Sequence, residues 1–97
     1  MKPKIGRVVY TVSTSYIEIS EETVGYLGKD TFLVSNHEDY SSGYEFAYSS
    51  YGETWFTSFE KAKSYLKKAF KVEYPNDKFN LECVRSINNG ARFWRVI

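Results

Sequence analysis

The chain holds one histidine and one cysteine, His37 and Cys83, and that pair limits the chemistry available to it. A structural zinc site needs several imidazole or thiolate ligands converging on one point, so two such residues cannot supply the set. A cysteine nucleophile needs a base beside it, and Cys83 falls in an extended apolar run with Leu81 on the same face, the setting of a buried structural thiol. His37-Glu38-Asp39 is chemically dense, but it lies in a polar stretch, Ser35 to Gly43, of the kind that solvates its side chains in a loop. Gly25-Tyr26-Leu27-Gly28 has the spacing of a phosphate clamp without the two flanking helices that such a clamp joins, and no Walker-type lysine or dinucleotide fingerprint follows. These patterns call for no cofactor, no metal and no catalytic residue, so the sequence points to a binding protein and not to an enzyme.

Two surfaces carry the binding chemistry. In the first, Tyr40, Tyr44, Tyr48 and Tyr51 stand among Ser41, Ser42, Ser49, Ser50, Gly43 and Gly52, interleaved with Glu38, Asp39, Glu45 and Glu53. Tyrosine offers rigid amphipathic contact area at low entropic cost, and a Ser/Gly background adapts its hydrogen bonding. Tyr44, Phe46 and Tyr48 alternate and can share a core-facing strand face, whereas Tyr40 and Tyr51 fall in turns, where burial is uncommon. The interleaved carboxylates repel a nucleic-acid backbone and suit a basic protein surface, including one that normally holds nucleic acid. The partner-binding residues expected on this reading are Glu38, Asp39, Tyr40, Tyr44, Glu45, Tyr51 and Glu53. In the second surface, Lys63, Lys67 and Lys71 recur every four residues, and Arg92, Trp94 and Arg95 lie further on with Phe93 among them. Cations beside aromatic rings are the ingredients of nucleic-acid binding, which makes these six residues the alternative site. Lysine stems covering the margins of a solvated helix explain the first three equally well.

The charge distribution sharpens the contrast. The formal net charge is +1, yet residues 8–60 hold a single cation, Lys29, against nine carboxylates, while residues 61–97 hold nine cations against three. Aromatic residues make up 19% of the chain, more than a core of this size hides, so some rings face water. A lone cysteine forms no internal disulfide and fits a reducing compartment, the cytoplasm by default. The basic opening, Met1-Lys2-Pro3-Lys4, leads into alternating sequence and not into the apolar run of a signal peptide, and no window has the length and hydropathy of a membrane span.

The elements that must position these residues follow from periodicity. With 97 residues the chain is expected to form one domain around one core: barrel strands in 1–56, a helix in 57–72 and a terminal hairpin in 79–97. Val8, Tyr10 and Val12 alternate with Val9, Thr11 and Ser13 in a first strand. Tyr16–Ile19 and Thr23–Leu27 read as further extended runs, and Gly28-Lys29-Asp30 turns the chain into a strand at Thr31–Val34. Tyr44–Tyr48 and Thr54–Phe56 read as another strand pair, with Ser49–Gly52 turning between them. Thr57-Ser58-Phe59-Glu60 has the form of a capping box with Thr57 as cap. Phe59, Ala62, Leu66, Ala69 and Phe70 then gather on one helix face, with Tyr65 at its margin, and Pro75-Asn76-Asp77 ends the helix. Asn89-Gly90 between two apolar-rich runs predicts the closing hairpin. Short strands, one helix and a hairpin together make an α+β domain: a small antiparallel SH3-like barrel or bent sheet with one packed helix.

The run from Lys4 to Lys71 also resembles a known group. Its opening Ile5-Gly6-Arg7-Val8-Val9-Tyr10, the turn Val24-Gly25-Tyr26-Leu27-Gly28-Lys29-Asp30 with Phe32-Leu33-Val34, and Tyr51-Gly52-Glu53-Thr54-Trp55-Phe56-Thr57 before an Ala/Lys-rich helix are similar to small phage and mobile-element proteins of Gram-positive bacteria, in which an SH3-like barrel runs into a helix. The terminal hairpin after Pro75 departs from that pattern. The resemblance implies a fold and an origin, with no shared activity to carry over. By analogy with small phage proteins of polarised surface, it adds the expectation of an inhibitor of host machinery, the anti-CRISPR class included, that binds a host protein in the bacterial cytoplasm.

Overall fold

The alternation that begins at Val8 produces a long hairpin. Strand β1 (Val8–Ser13) pairs antiparallel with β2 (Glu18–Leu27), in register from Val8 opposite Thr23 to Ser13 opposite Glu18. The computed structural model describes residues 1–35, 44–85 and 92–97. Its other strands are β3 (Thr31–Ser35), β4 (Tyr44–Ala47), β5 (Trp55–Phe56), β6 (Leu81–Arg85) and β7 (Arg92–Val96), and a single helix, α1 (Phe59–Glu73), lies between β5 and β6. The sheet runs β4-β3-β2-β1-β5. The far edge of β2 is shared, β3 taking its C-terminal half and β7 pairing with Glu18–Ser20. The seven strands are all antiparallel and form a curled half-barrel with one helix, an α+β fold consistent with an SH3-like barrel carrying a helix.

Curling follows from local chemistry. Between β2 and β3 the register shifts so that Gly25 is the extra residue, a bulge that bends β2. At the following turn a Cβ on Gly28 would lie 2.9 Å from the carbonyl oxygen of Thr31, so only glycine permits that approach. Tyr48 Oη then donates to the Gly28 carbonyl at 2.8 Å, tying the turn to the next segment.

Because cross-strand partners share a face, the register sorts side chains onto two sides. On the concave side Val9, Val24, Phe32, Val34 and Trp55 form one fully buried cluster. Trp55 lies edge-on to Phe32, with ring centroids 4.8 Å apart, and its indole N–H donates to the Ala47 carbonyl at 3.0 Å. On the convex side Ile19 and Phe56 meet Ala62 and Leu66 of the helix, with Tyr10, Val12, Phe59, Tyr65 and Trp94 packed around them. The helix face expected from periodicity is the face that packs, with Ala62, Leu66 and Phe70 buried.

Several sequence expectations need correction. The runs Tyr16–Ile19 and Thr23–Leu27 belong to one continuous strand, with Tyr16 and Ile17 in the turn before it. Ile17 there has φ of 57°, a left-handed conformation that a β-branched residue adopts only under the pull of packing, which it finds in the convex cluster. Strands β4 and β5 do not pair with each other: β4 pairs with β3, β5 with β1, and a 3-10 turn at Tyr48–Ser50 separates them. Gly52, at φ of +89°, completes that connection. The helix cap is Ser58, whose hydroxyl accepts from the Lys61 amide at 3.4 Å, one residue later than the expected Thr57, and the helix extends to Glu73. Cys83 is exposed, not buried, on the edge strand β6, which pairs only with β7 among the described strands. Tyr51 is half-buried against Trp55, with centroids 4.8 Å apart, instead of standing free in a turn. The Asn89-Gly90 turn lies outside the described residues, but the hairpin it was expected to join is present, Leu81 opposite Val96 through Arg85 opposite Arg92.

Candidate functional site at the mouth of the half-barrel

The concave side begins as an apolar core and ends as a polar one. Along β1 the inward positions run Val9, Thr11, Ser13, and along β2 they run from Val24 to Glu22, Ser20 and Glu18. On β4, Phe46 and Tyr44 stand opposite Phe32 and Val34 and so face inward as well. Tyr16 is held beside them by the turn, where its amide donates to the Ser13 hydroxyl at 3.2 Å. Together Thr11, Val12, Ser13, Tyr16, Glu18, Ser20, Glu22, Tyr44 and Phe46 line a cavity of about 390 Å³ at the open mouth of the half-barrel.

Glu22 is the decisive residue of this cavity. It is only 4% exposed, and its Oε2 atom is buried with no hydrogen-bond partner among the described residues. Loss of water without compensation penalises the charged form, and burial raises its carboxyl from 4.5 to about 7. By contrast Tyr16 and Tyr44 keep 79% and 64% of their surface in water, so the rim carries two rings that the core does not use. Among the described residues no lysine or arginine lines the cavity. The nearest cation in register is Arg95 of β7, which stands opposite Glu18 on one side and Glu82 on the other.

Of the described residues expected in the acidic tyrosine-rich site, Tyr44 alone lines this cavity. Glu38, Asp39 and Tyr40 lie outside the described residues. Glu45 is exposed on the opposite side of β4, beside Leu33, and Glu53 is exposed in the connection before β5. The Tyr51 hydroxyl is within 3.3 Å of the Thr57 hydroxyl while its ring packs on Trp55. Sequence reasoning missed Tyr16, Glu18 and Glu22. The signal for Glu22 was available in the i, i+2 step from Val24, which puts a carboxyl on the core face, but two extended runs ending at Ile19 and beginning at Thr23 left Glu22 in neither.

Three of the six residues of the alternative site are engaged within the fold. Arg92 Nε donates to Glu21 Oε1 at 3.2 Å and its Nη2 to Oε2, and the guanidinium lies 5.3 Å from the Trp94 ring centroid. This pairing raises the pKa of Arg92. The Tyr10 hydroxyl donates to the same carboxylate at 3.5 Å, and burial followed by the Glu21 charge raises its pKa. Trp94 packs on Phe59, with centroids 4.5 Å apart, as part of the convex core. Lys71 Nζ donates to the Asp77 carbonyl, closing the segment after the helix. Lys67 and Arg95 are exposed and Lys63 is half-exposed.

Among the described residues no cluster of three or more His, Cys, Asp or Glu side chains is placed to hold a metal ion. No helix among them is long and apolar enough to cross a membrane. Comparison with family models, curated proteins and solved structures yields no match to this chain.

Proposed function

We propose that the protein acts by binding and not by catalysis, docking the mouth of its half-barrel onto a basic surface of another protein. The observation that carries this reading is the cavity in which Glu18 and Glu22 are gathered with Tyr16 and Tyr44 and which, among the described residues, no lysine or arginine lines. Exposed tyrosines supply contact area at low entropic cost, and paired carboxylates select a cationic counterpart. Glu45 and Glu53, both exposed, extend the negative charge beyond the mouth. The engagement of Arg92, Trp94 and Lys71 within the fold weighs against the basic helix and hairpin as the working surface. On the resemblance to phage and mobile-element proteins, the partner is a nucleic-acid-handling protein of a bacterial host. Occluding its basic channel in the cytoplasm would inhibit it, as an anti-defence protein does.

Affinity capture of the tagged protein from bacterial lysate, with and without nuclease, tests the proposal. A discrete basic protein retained after nuclease, and lost when Tyr44→Ala is combined with Glu18→Lys, is the expected result. Recovery of nucleic acid, with every co-purifying protein lost after nuclease, would overturn it and transfer the function to Lys63, Lys67, Lys71, Arg92, Trp94 and Arg95.

A further inference from the structure

A buried carboxyl that lines a cavity and keeps one oxygen without a partner is a feature that folding alone does not favour. Burying such a group without a partner is costly, and native structures supply partners to the great majority of buried polar atoms. Thr11 and Ser20 flank Glu22 on the concave side, yet none of the described residues hydrogen-bonds Oε2. The chemistry of the cavity narrows what would satisfy it. Two carboxylates, Glu18 and Glu22, repel an anion. A neutral ligand would leave the ionised form of Glu22 uncompensated. For a metal ion, no cluster of three or more His, Cys, Asp or Glu side chains is placed there among the described residues. An organic cation satisfies all three constraints, and the exposed rings of Tyr16 and Tyr44, with Phe46 deeper in, present π faces that attract one. Among side-chain cations guanidinium is the better match. It is planar, more weakly hydrated than ammonium, able to pair with a carboxylate through two N–H groups and able to stack on aromatic rings.

We propose that the cavity is a receptor for one arginine side chain of the basic partner, with Glu22 as buried counter-ion and Tyr16, Tyr44 and Phe46 as the flanking rings. The proposal rests on the reading that the mouth of the half-barrel is the docking face. Binding then ionises Glu22 and releases its proton, so arginine and proton compete. Among the described residues, Glu22 is faced by Val9 and Thr11 of β1, Glu18, Ser20 and Val24 of β2, Tyr16 of the turn, and Tyr44 and Phe46 of β4. Arg95 of β7 lies in register with Glu18 beyond the cavity lining. Burial has raised the carboxyl of Glu22 to about 7.

The test titrates N-acetyl-arginine methylamide into the full chain by NMR at pH 6 and pH 8, with the citrulline analogue as the uncharged isostere. Saturable binding is expected at pH 8, with shifts at Glu22, Tyr16 and Tyr44. One pH unit below the pKa the ionised fraction is about a tenth, so affinity at pH 6 should be about tenfold weaker. Glu22→Gln should remove at least that factor together with the pH dependence, and its folding is verified independently by thermal unfolding. Equal affinity for citrulline, undiminished binding to folded Glu22→Gln, or no saturable binding to the wild type at pH 8 would each overturn the proposal. Failure of the docking reading is distinguishable. If the probe binds through Glu22 but no basic protein is captured, the receptor stands and the docking reading falls. If a basic protein is captured through Tyr44 and Glu18 and is not displaced by the arginine probe, the reading stands and the receptor falls.

Discussion

Glu22 occupies an inward position on β2 where its neighbour two residues on, Val24, and its cross-strand partner, Val9, are both buried and apolar. A carboxyl there is a liability to folding. Its folded-state pKa, about 7, lies above the unfolded value of 4.5, so the native state holds the extra proton between those values and stability falls as pH rises through that window. Above it the deficit approaches about 3 kcal/mol. Glu22→Gln, which keeps the shape and has no charge to lose, is therefore expected to match the wild type near pH 4 and to exceed it in urea unfolding at pH 8. Identical profiles for the two proteins would show that Glu22 is not desolvated. Cys83 gives a second test at this scale. Exposed on the terminal hairpin, it should react with a thiol reagent in the native protein nearly as fast as in denaturant. A thiol protected until unfolding would instead mean that the hairpin packs more closely than described.

The helix is held by its cap and by one apolar stripe, and the two contribute differently. Ser58→Ala is expected to cost about 1 kcal/mol, and Thr57→Ala distinctly less, because it is the Ser58 hydroxyl that accepts from the Lys61 amide. The reverse order in chemical denaturation would restore the capping box centred on Thr57. Leu66, 1% exposed against Ile19 and Phe56, should cost roughly 2–5 kcal/mol on truncation to alanine, since the sheet beneath cannot collapse into the space. What could be read at this scale before the structure, and what could not, divides by range of interaction. The helix face, the turn at Gly28 and the β6–β7 pairing are written in local periodicity and turn chemistry, and all three are present. The partners of β4 and β5 are set by contacts distant in sequence. Trp55 is drawn under Phe32 and Tyr51 follows it, so the apparent local pair is split between β3 and β1. The same limit hid the cavity. Tyr44 is visible as a candidate from composition, but its meeting with Glu22 depends on how far the sheet curls around the Gly25 bulge.

At the scale of the molecule, the polarity of the sequence becomes a division of labour between surfaces. The cations after residue 60 are spent in part on the fold: Arg92 clamps Glu21 beneath Tyr10, and Lys71 closes the segment beyond the helix. Of the carboxylates before it, Glu45 and Glu53 are exposed, and Glu18 and Glu22 line a cavity flanked by tyrosines. Exposed charges at the rim chiefly govern the rate of encounter, whereas the anchor in a desolvated pocket governs residence. Partner association should therefore slow with added salt, while dissociation responds mainly to changes at Tyr44 and Glu22. Surface plasmon resonance at two salt concentrations separates the effects, and a salt-independent association rate would argue against charge complementarity. The measurement that bears most directly on the central claim compares two variants of the tagged protein in one nuclease-treated capture, Glu18→Lys with Tyr44→Ala at the mouth, and Lys63→Glu with Lys67→Glu on the helix. The account predicts that the mouth variant loses the captured protein and the helix variant keeps it. Retention by the mouth variant with loss from the helix variant would contradict the account and move the working surface to the opposite side of the molecule.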